Sequence, residues 1–160
     1  MVSLAATVST VVKSNQVKSF EHIVPIDLTS IFTGYGPLPA VTGTENQIGA
    51  WDAAGQKRTV HLSDGSSAQE VLTKYEHPQY FSYTVSAFTG ILGFFTTHAD
   101  GEWWFEPQST GKTHIKWRYA FNSKSAFAVP ALWIITKLLW RGYMKKALLL
   151  LKNQLEGNIT

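Results

Sequence analysis

Two phenols, Tyr83 and Tyr119, are the side chains of this chain best placed to do chemistry, because each sits in an alternating apolar stretch. In the stretch from Gln79 to Ser86, Phe81, Tyr83 and Val85 point one way. In Thr113 to Phe121, Ile115, Trp117, Tyr119 and Phe121 share a face, and His114, Lys116 and Arg118 take the other. Trp103 and Phe105 form a third inward set, with Trp104 and Glu106 outside. A phenol on an apolar face needs a hydrogen-bond partner, which a ligand oxygen would supply. The alternative is a filled core with no ligand space.

Other residue groups suggest chemistry and then fail on context. His98, Asp100 and Glu102 alternate as metal ligands on one strand face would. Asp100-Gly101 reads as a turn, however, which breaks that face, so no metal site is expected. His61, His77 and His114 are scattered, and no Ser-His-Asp order stands out. Gly111-Lys112-Thr113 is no phosphate loop: Glu106 stands where the first glycine belongs, and Thr113 opens a strand instead of a helix. Lys146 falls in the inward sector of a helix, where its charge is either costly and functional or escapes at an edge. Asn158-Ile159-Thr160 matches a glycosylation acceptor, but the N-terminus MVSLAATVSTVVKS has no signal-peptide pattern to make it meaningful.

Composition bounds the function classes. A chain of 160 residues, 44% hydrophobic and 16% charged, suits one domain spanning residues 1–160. The aromatic share of 13%, with six tryptophans, supplies large buried area of fixed shape. A net charge of +3 with scattered Lys and Arg argues against nucleic acid as a partner. Cysteine is absent, which removes disulfides, thiol nucleophiles and Cys-ligated zinc and fits a cytoplasmic location.

The elements that must position the phenols follow from periodicity. Ala5 to Lys13 reads as a first strand, and Ser19 to Phe32 as two short helices broken at Pro25, with Ser19 and Asp27 as N-caps. Strands are expected over Ala40 to Ile48, Lys57 to Leu62, Ser67 to Glu76, Gln79 to Ser86, Glu102 to Pro107 and Thr113 to Phe121. Asp64-Gly65 joins two of them as a hairpin. A long helix starts near Ser125 or Ala126, with Pro130 in its first turns. Wound at about 100° per residue, it places Leu132, Ile135, Thr136, Leu139, Tyr143, Ala147 and Leu150 on one face. Lys137, Arg141, Lys145 and Lys152 lie opposite; with Trp133 and Trp140 beside them, that face suits transient membrane contact. Ala126 to Trp140 is too short and too interrupted for stable membrane insertion.

This order, with Gly49-Ala50-Trp51, Gln56 to Val60, Leu62 to Gly65, Glu70-Val71-Leu72, Phe81-Ser82-Tyr83, Gly101 to Pro107 and Thr113 to Trp117, resembles the START/Bet v 1-like superfamily, in particular its bacterial polyketide cyclase/dehydrase-like branch. The resemblance implies an α+β helix-grip fold: a seven-stranded curved antiparallel sheet around a long C-terminal helix, with two short helices after the first strand. It implies a small hydrophobic partner, such as a lipid or polyketide; no cofactor is expected. An enzyme acting on an aromatic or polyketide substrate is the alternative, although no inward His or carboxylate stands out to serve it.

The expected cavity, about 300–1,000 Å³, would be lined by Phe81, Tyr83, Trp103, Phe105, Trp117, Tyr119, Ile135, Thr136, Leu139 and Tyr143. The loop TGYGPLP, Thr33 to Pro39, would gate it, with Gly34 and Gly36 as hinges and Tyr35 and Leu38 as the plug.

Overall fold

The computed structural model describes residues 2–157, so Asn158-Ile159-Thr160 lies outside the described residues. Seven antiparallel strands form one sheet in the order β1-β7-β6-β5-β4-β3-β2. They are β1 (Ser3–Val12), β2 (Val41–Glu45), β3 (Lys57–Leu62), β4 (Ser67–Glu76), β5 (Tyr80–Ser86), β6 (Thr96–Ser109) and β7 (Lys112–Ser123). The expected bounds of β3 and β4 are met, because Asp64 fixes the turn between them: its carboxylate accepts from the Ser66 amide and hydroxyl. Those two bonds, the hydroxyl's first, hold the Asp64 carboxyl below its ordinary range.

Helix α1 (Gln16–Ile23) and a 3-10 turn at Leu28–Ser30 follow β1. Asp27 caps the turn as expected, accepting from the Thr29 amide. Ser19 does not cap α1. Asn15 does, accepting from the Lys18 amide at 2.8 Å, while Ser19 is buried and its hydroxyl donates to the Asn15 carbonyl.

Asp100-Gly101 is not a turn. β6 runs straight through it, and Gly101 pairs with Tyr83 on one side and Tyr119 on the other. A Cβ at Gly101 would collide with the Tyr83 ring, so the glycine leaves room for an aromatic crossing the sheet face. The one-turn helix α2 (Leu92–Phe95) before β6 had no periodicity by which to be read.

The C-terminal helix begins with a 3-10 turn at Ala126–Ala128 and continues to Leu155, with Pro130 in its first turn. Residues Ile135–Trp140 form a π-helical turn, in which the Arg141 amide donates to the carbonyl of Thr136, five residues back. The wider turn shifts the inner stripe by about one residue. Leu132, Thr136, Tyr143, Met144, Ala147, Leu148, Leu151 and Leu155 are buried, whereas Ile135 and Leu139 are half-buried and off the stripe. Trp140, expected beside the basic face, turns inward onto Phe32, Tyr119, Phe121 and Tyr143. Two lysines tie the helix to the outer strand: Lys137 donates to the Ala5 carbonyl, and Lys152 to that of Val11 at 3.1 Å.

Candidate functional site

Strand pairing stacks the inward residues into rows across the concave face. One row is Phe81, Trp103, Trp117 and Val8; the next is Tyr83, Gly101, Tyr119 and Ala6. A third row holds Arg58, Glu70, Val85, Ala99 and Phe121. Between these rows and the helices lies a cavity of about 170 Å³. Ile23, Val24, Ile31 and Phe32 close one wall, and Trp140 and Tyr143 of the C-terminal helix another. This is smaller than the 300–1,000 Å³ expected. The inward rings take up the space: Trp103 lies on Trp117 at 4.5 Å and Phe81 on Trp103 at 5.8 Å between centroids.

Of the residues expected to line the cavity, Phe81, Tyr83, Trp103, Trp117, Tyr119 and Tyr143 do so. Phe105 does not: it is buried one row further along, edge-on to Phe20 of α1 at 5.2 Å. Ile135 and Leu139 do not, because the π turn rotates them aside. Thr136 is buried on the helix but turned onto its own backbone, its hydroxyl donating to the Leu132 carbonyl at 2.7 Å.

The loop before β2 divides in two. Pro37, Leu38 and Pro39 line the cavity, and Leu38 is buried. Gly34, Tyr35 and Gly36 do not line it. Tyr35 instead lies across the C-terminal helix at Gly142, where any side chain would strike its ring, and stacks on Tyr143 at 6.2 Å. The close approach allowed by Gly142 is thus made by the loop. Three hydrogen bonds pin this segment: Gly34 N–H to the Tyr143 hydroxyl at 2.9 Å, that hydroxyl to the Pro39 carbonyl at 2.8 Å, and Lys146 Nζ to the Gly34 carbonyl at 2.8 Å. Lys146 is therefore an exposed tether. Tyr143→Phe removes two of the three bonds and is expected to cost about 1–3 kcal/mol, with faster amide exchange at Gly34. Unchanged exchange there would show that the tether does not hold the loop.

The polar lining includes residues that the strand pattern did not single out. Arg58 and Glu70 are an ion pair at 2.7 Å with side chains only 5% and 9% exposed. The Arg58 guanidinium also lies 4.0 Å over the ring of Trp51. Trp51 is fully buried and holds a left-handed backbone, φ 59°, to bring its ring there. Alternation carried the signal: Arg58 and Val60 share a face, as do Ala68, Glu70 and Leu72.

The unfilled bonding capacity of the lining is mostly of donor type. Arg58 Nε and Trp140 Nε1 are buried without hydrogen-bond partners among the described residues. The Tyr83 hydroxyl accepts from Trp117 Nε1 at 3.1 Å, so its own proton is free for an acceptor. The Tyr119 hydroxyl has no hydrogen bond among the described residues. Burial first pushes both phenols above their ordinary range, followed by the Glu70 carboxylate for Tyr83 and by Tyr83 and then Glu70 for Tyr119. They are protonated at neutral pH and serve as donors. On the opposite sheet face His98 and Asp100 do lie together, Nε2 to Oδ2 3.5 Å, but among the described residues no three potential ligands gather for a metal.

No protein-family model and no curated protein sequence matches the chain. Solved structures do. A crystal structure of Ara h 8.0201 superposes with a TM-score of 0.64 at 15% identity, covering 98% of this chain and 99% of that one. Ginseng major latex-like protein 151 from Panax ginseng gives 0.66 at 10% identity over 96% and 97%. A protein from Nitrosospira multiformis gives 0.67 at 15% identity over 95% and 96%. Identities this low speak to the fold alone, and the chain therefore has the seven-stranded, helix-grip, Bet v 1-like fold.

Proposed function

We propose that the protein, as a single domain, binds a small, mainly apolar molecule carrying an acceptor oxygen, for transport or sequestration in the cytoplasm. The observation that supports this most is the donor surplus at Arg58 Nε, Trp140 Nε1, Tyr83 and Tyr119 around one apolar cavity. Buried donors without acceptors cost about 1–3 kcal/mol each, and a ligand carbonyl or carboxylate would recover part of that. A volume of 170 Å³ suits a molecule of about one ring. A lipid chain or polyketide would need the Pro37 to Pro39 wall to move.

An aryl ketone or benzoate is expected to bind and quench tryptophan emission, because Trp103, Trp117 and Trp140 line the space. An aromatic amine of the same shape should bind more weakly, since it brings donors to donors. Tyr119→Phe should weaken the ketone by about tenfold, roughly one hydrogen bond. No quenching by any of these probes would retire the binding reading.

A second reading is a polyketide cyclase/dehydrase-type enzyme, as in the bacterial branch of the superfamily. Glu70 supports it as an inward carboxylate that the strand pattern did not bring forward. Its Oε1 is occupied by Arg58, which leaves Oε2 as the available base. Turnover of a model β-polyketone that Glu70→Gln abolishes would favour this reading; binding without turnover would favour the first.

A further inference from the structure

The cavity has a mouth, and the surface beside it is unusually apolar for an exposed one. The exposed lining residues Pro37, Asp64, Thr89 and Ile91 place the mouth where three connections meet: the loop before β2, the β3–β4 turn and the segment leading to α2. Ile91 and Phe94 of this segment are exposed, and so are Phe127, Ile134 and Leu138 of the C-terminal helix; Phe127 is 96% exposed and Phe94 76%. α2 sits directly against the start of the C-terminal helix, since Lys124 bonds the carbonyls of Gly93 and Phe95 through its side chain and amide. Isolated exposed hydrophobics are ordinary, but a cluster of large ones marks a contact surface.

The charge along the C-terminal helix is nearly all of one sign. After residue 121 the described chain carries Lys124, Lys137, Arg141, Lys145, Lys146 and Lys152 against a single acid, Glu156. Along the helix, Ile134, Leu138, Arg141, Lys145 and Leu149 recur every three or four residues and are exposed, so one stripe runs from apolar to basic. Arg141 and Lys145 have no ion-pair partner among the described residues. They border a groove with Lys116, Lys152 and the hydroxyl-bearing Thr7, Ser9 and Thr10. Asp64 at the mouth carries the opposite charge, and its oxygen is bonded to Ser66.

We propose that this face docks on an anionic membrane surface. Phe127, Phe94 and Ile91 enter the boundary between headgroups and acyl chains, while Arg141 and Lys145 take the headgroup phosphates. A protein partner would also cover an apolar patch, but its surface seldom supplies uniform negative charge along a whole stripe, whereas an anionic leaflet does. Docking in this pose turns the cavity mouth toward the bilayer, so a poorly soluble ligand could pass without crossing water.

The test is flotation with phosphatidylcholine vesicles, with and without phosphatidylserine, using the whole chain. The wild type should float with the phosphatidylserine vesicles, and less so as salt is raised. Arg141→Gln with Lys145→Gln should lower the partition coefficient on the order of tenfold or more. Phe127→Ser should also lower it; at that exposure the fold is not at risk, and aryl-ketone binding in solution should stay unchanged. Vesicle binding that is absent, that ignores phosphatidylserine, or that survives both variants would overturn the proposal. So would a dimer in solution that Phe127→Ser abolishes, since the patch would then serve a second copy. None of these failures bears on the cavity, which the solution probes test separately.

Discussion

Arg58→Met should cost about 3–5 kcal/mol, because it leaves the Glu70 carboxylate buried without its partner. The pair sits in the third inward row, next to Val85, with little water to take over the charge. For a chain of this size the loss corresponds to a fall in melting temperature on the order of 10 °C. The double variant Arg58→Met with Glu70→Leu should recover most of that, since a well-packed apolar pair replaces buried ions at little cost. It should also bind acceptor-bearing probes poorly, having lost the Nε donor. Thermal melts of the wild type and both variants decide the matter. A single variant costing under about 1 kcal/mol would mean that water reaches Glu70, and a double variant worse than the single would mean that the pair's geometry, not its charge, matters.

Gly101→Ala should be nearly as damaging. One added methyl falls inside the Tyr83 ring, and the two strands flanking β6 prevent the backbone from yielding. About 3 kcal/mol, the upper end for overpacking, is the expected loss in urea denaturation. Tyr83→Ala in the same chain should relieve the clash, so the double variant should be more stable than the sum of the two single losses predicts. Additive losses would show that the glycine is needed for its backbone and not for the ring above it.

These two positions also show what could be read from the chain and what could not. Strand alternation placed Tyr83, Trp103, Trp117 and Tyr119 on the cavity side because each stands in an unbroken period of two. It carried the same information for Arg58 and Glu70, but charge suggests an outward face, and only a partner across the β3–β4 pair makes burial tolerable. Asp100-Gly101 has the composition of a turn; what keeps it in a strand is pairing with β5 and β7 on its two sides, with the Tyr83 ring filling the space a side chain would need, and local sequence reveals neither. Ile135, Thr136 and Leu139 were placed by a uniform helical period, and the π turn breaks that period within the segment that roofs the cavity. Trp140 gains by the same shift, moving from the basic face to the lining.

The lysines that reach from the C-terminal helix to β1 have a bearing on solubility. β1 is an edge of the sheet, and an edge strand offers unpaired carbonyls and amides to which a strand of another molecule can add. Lys137 and Lys152 occupy the Ala5 and Val11 carbonyls and set positive charge along that border. The other edge, β2, is five residues long with an irregular register, too short and bent to serve as a template. Both borders of a molecule rich in aromatic strands thus carry features that discourage strand addition.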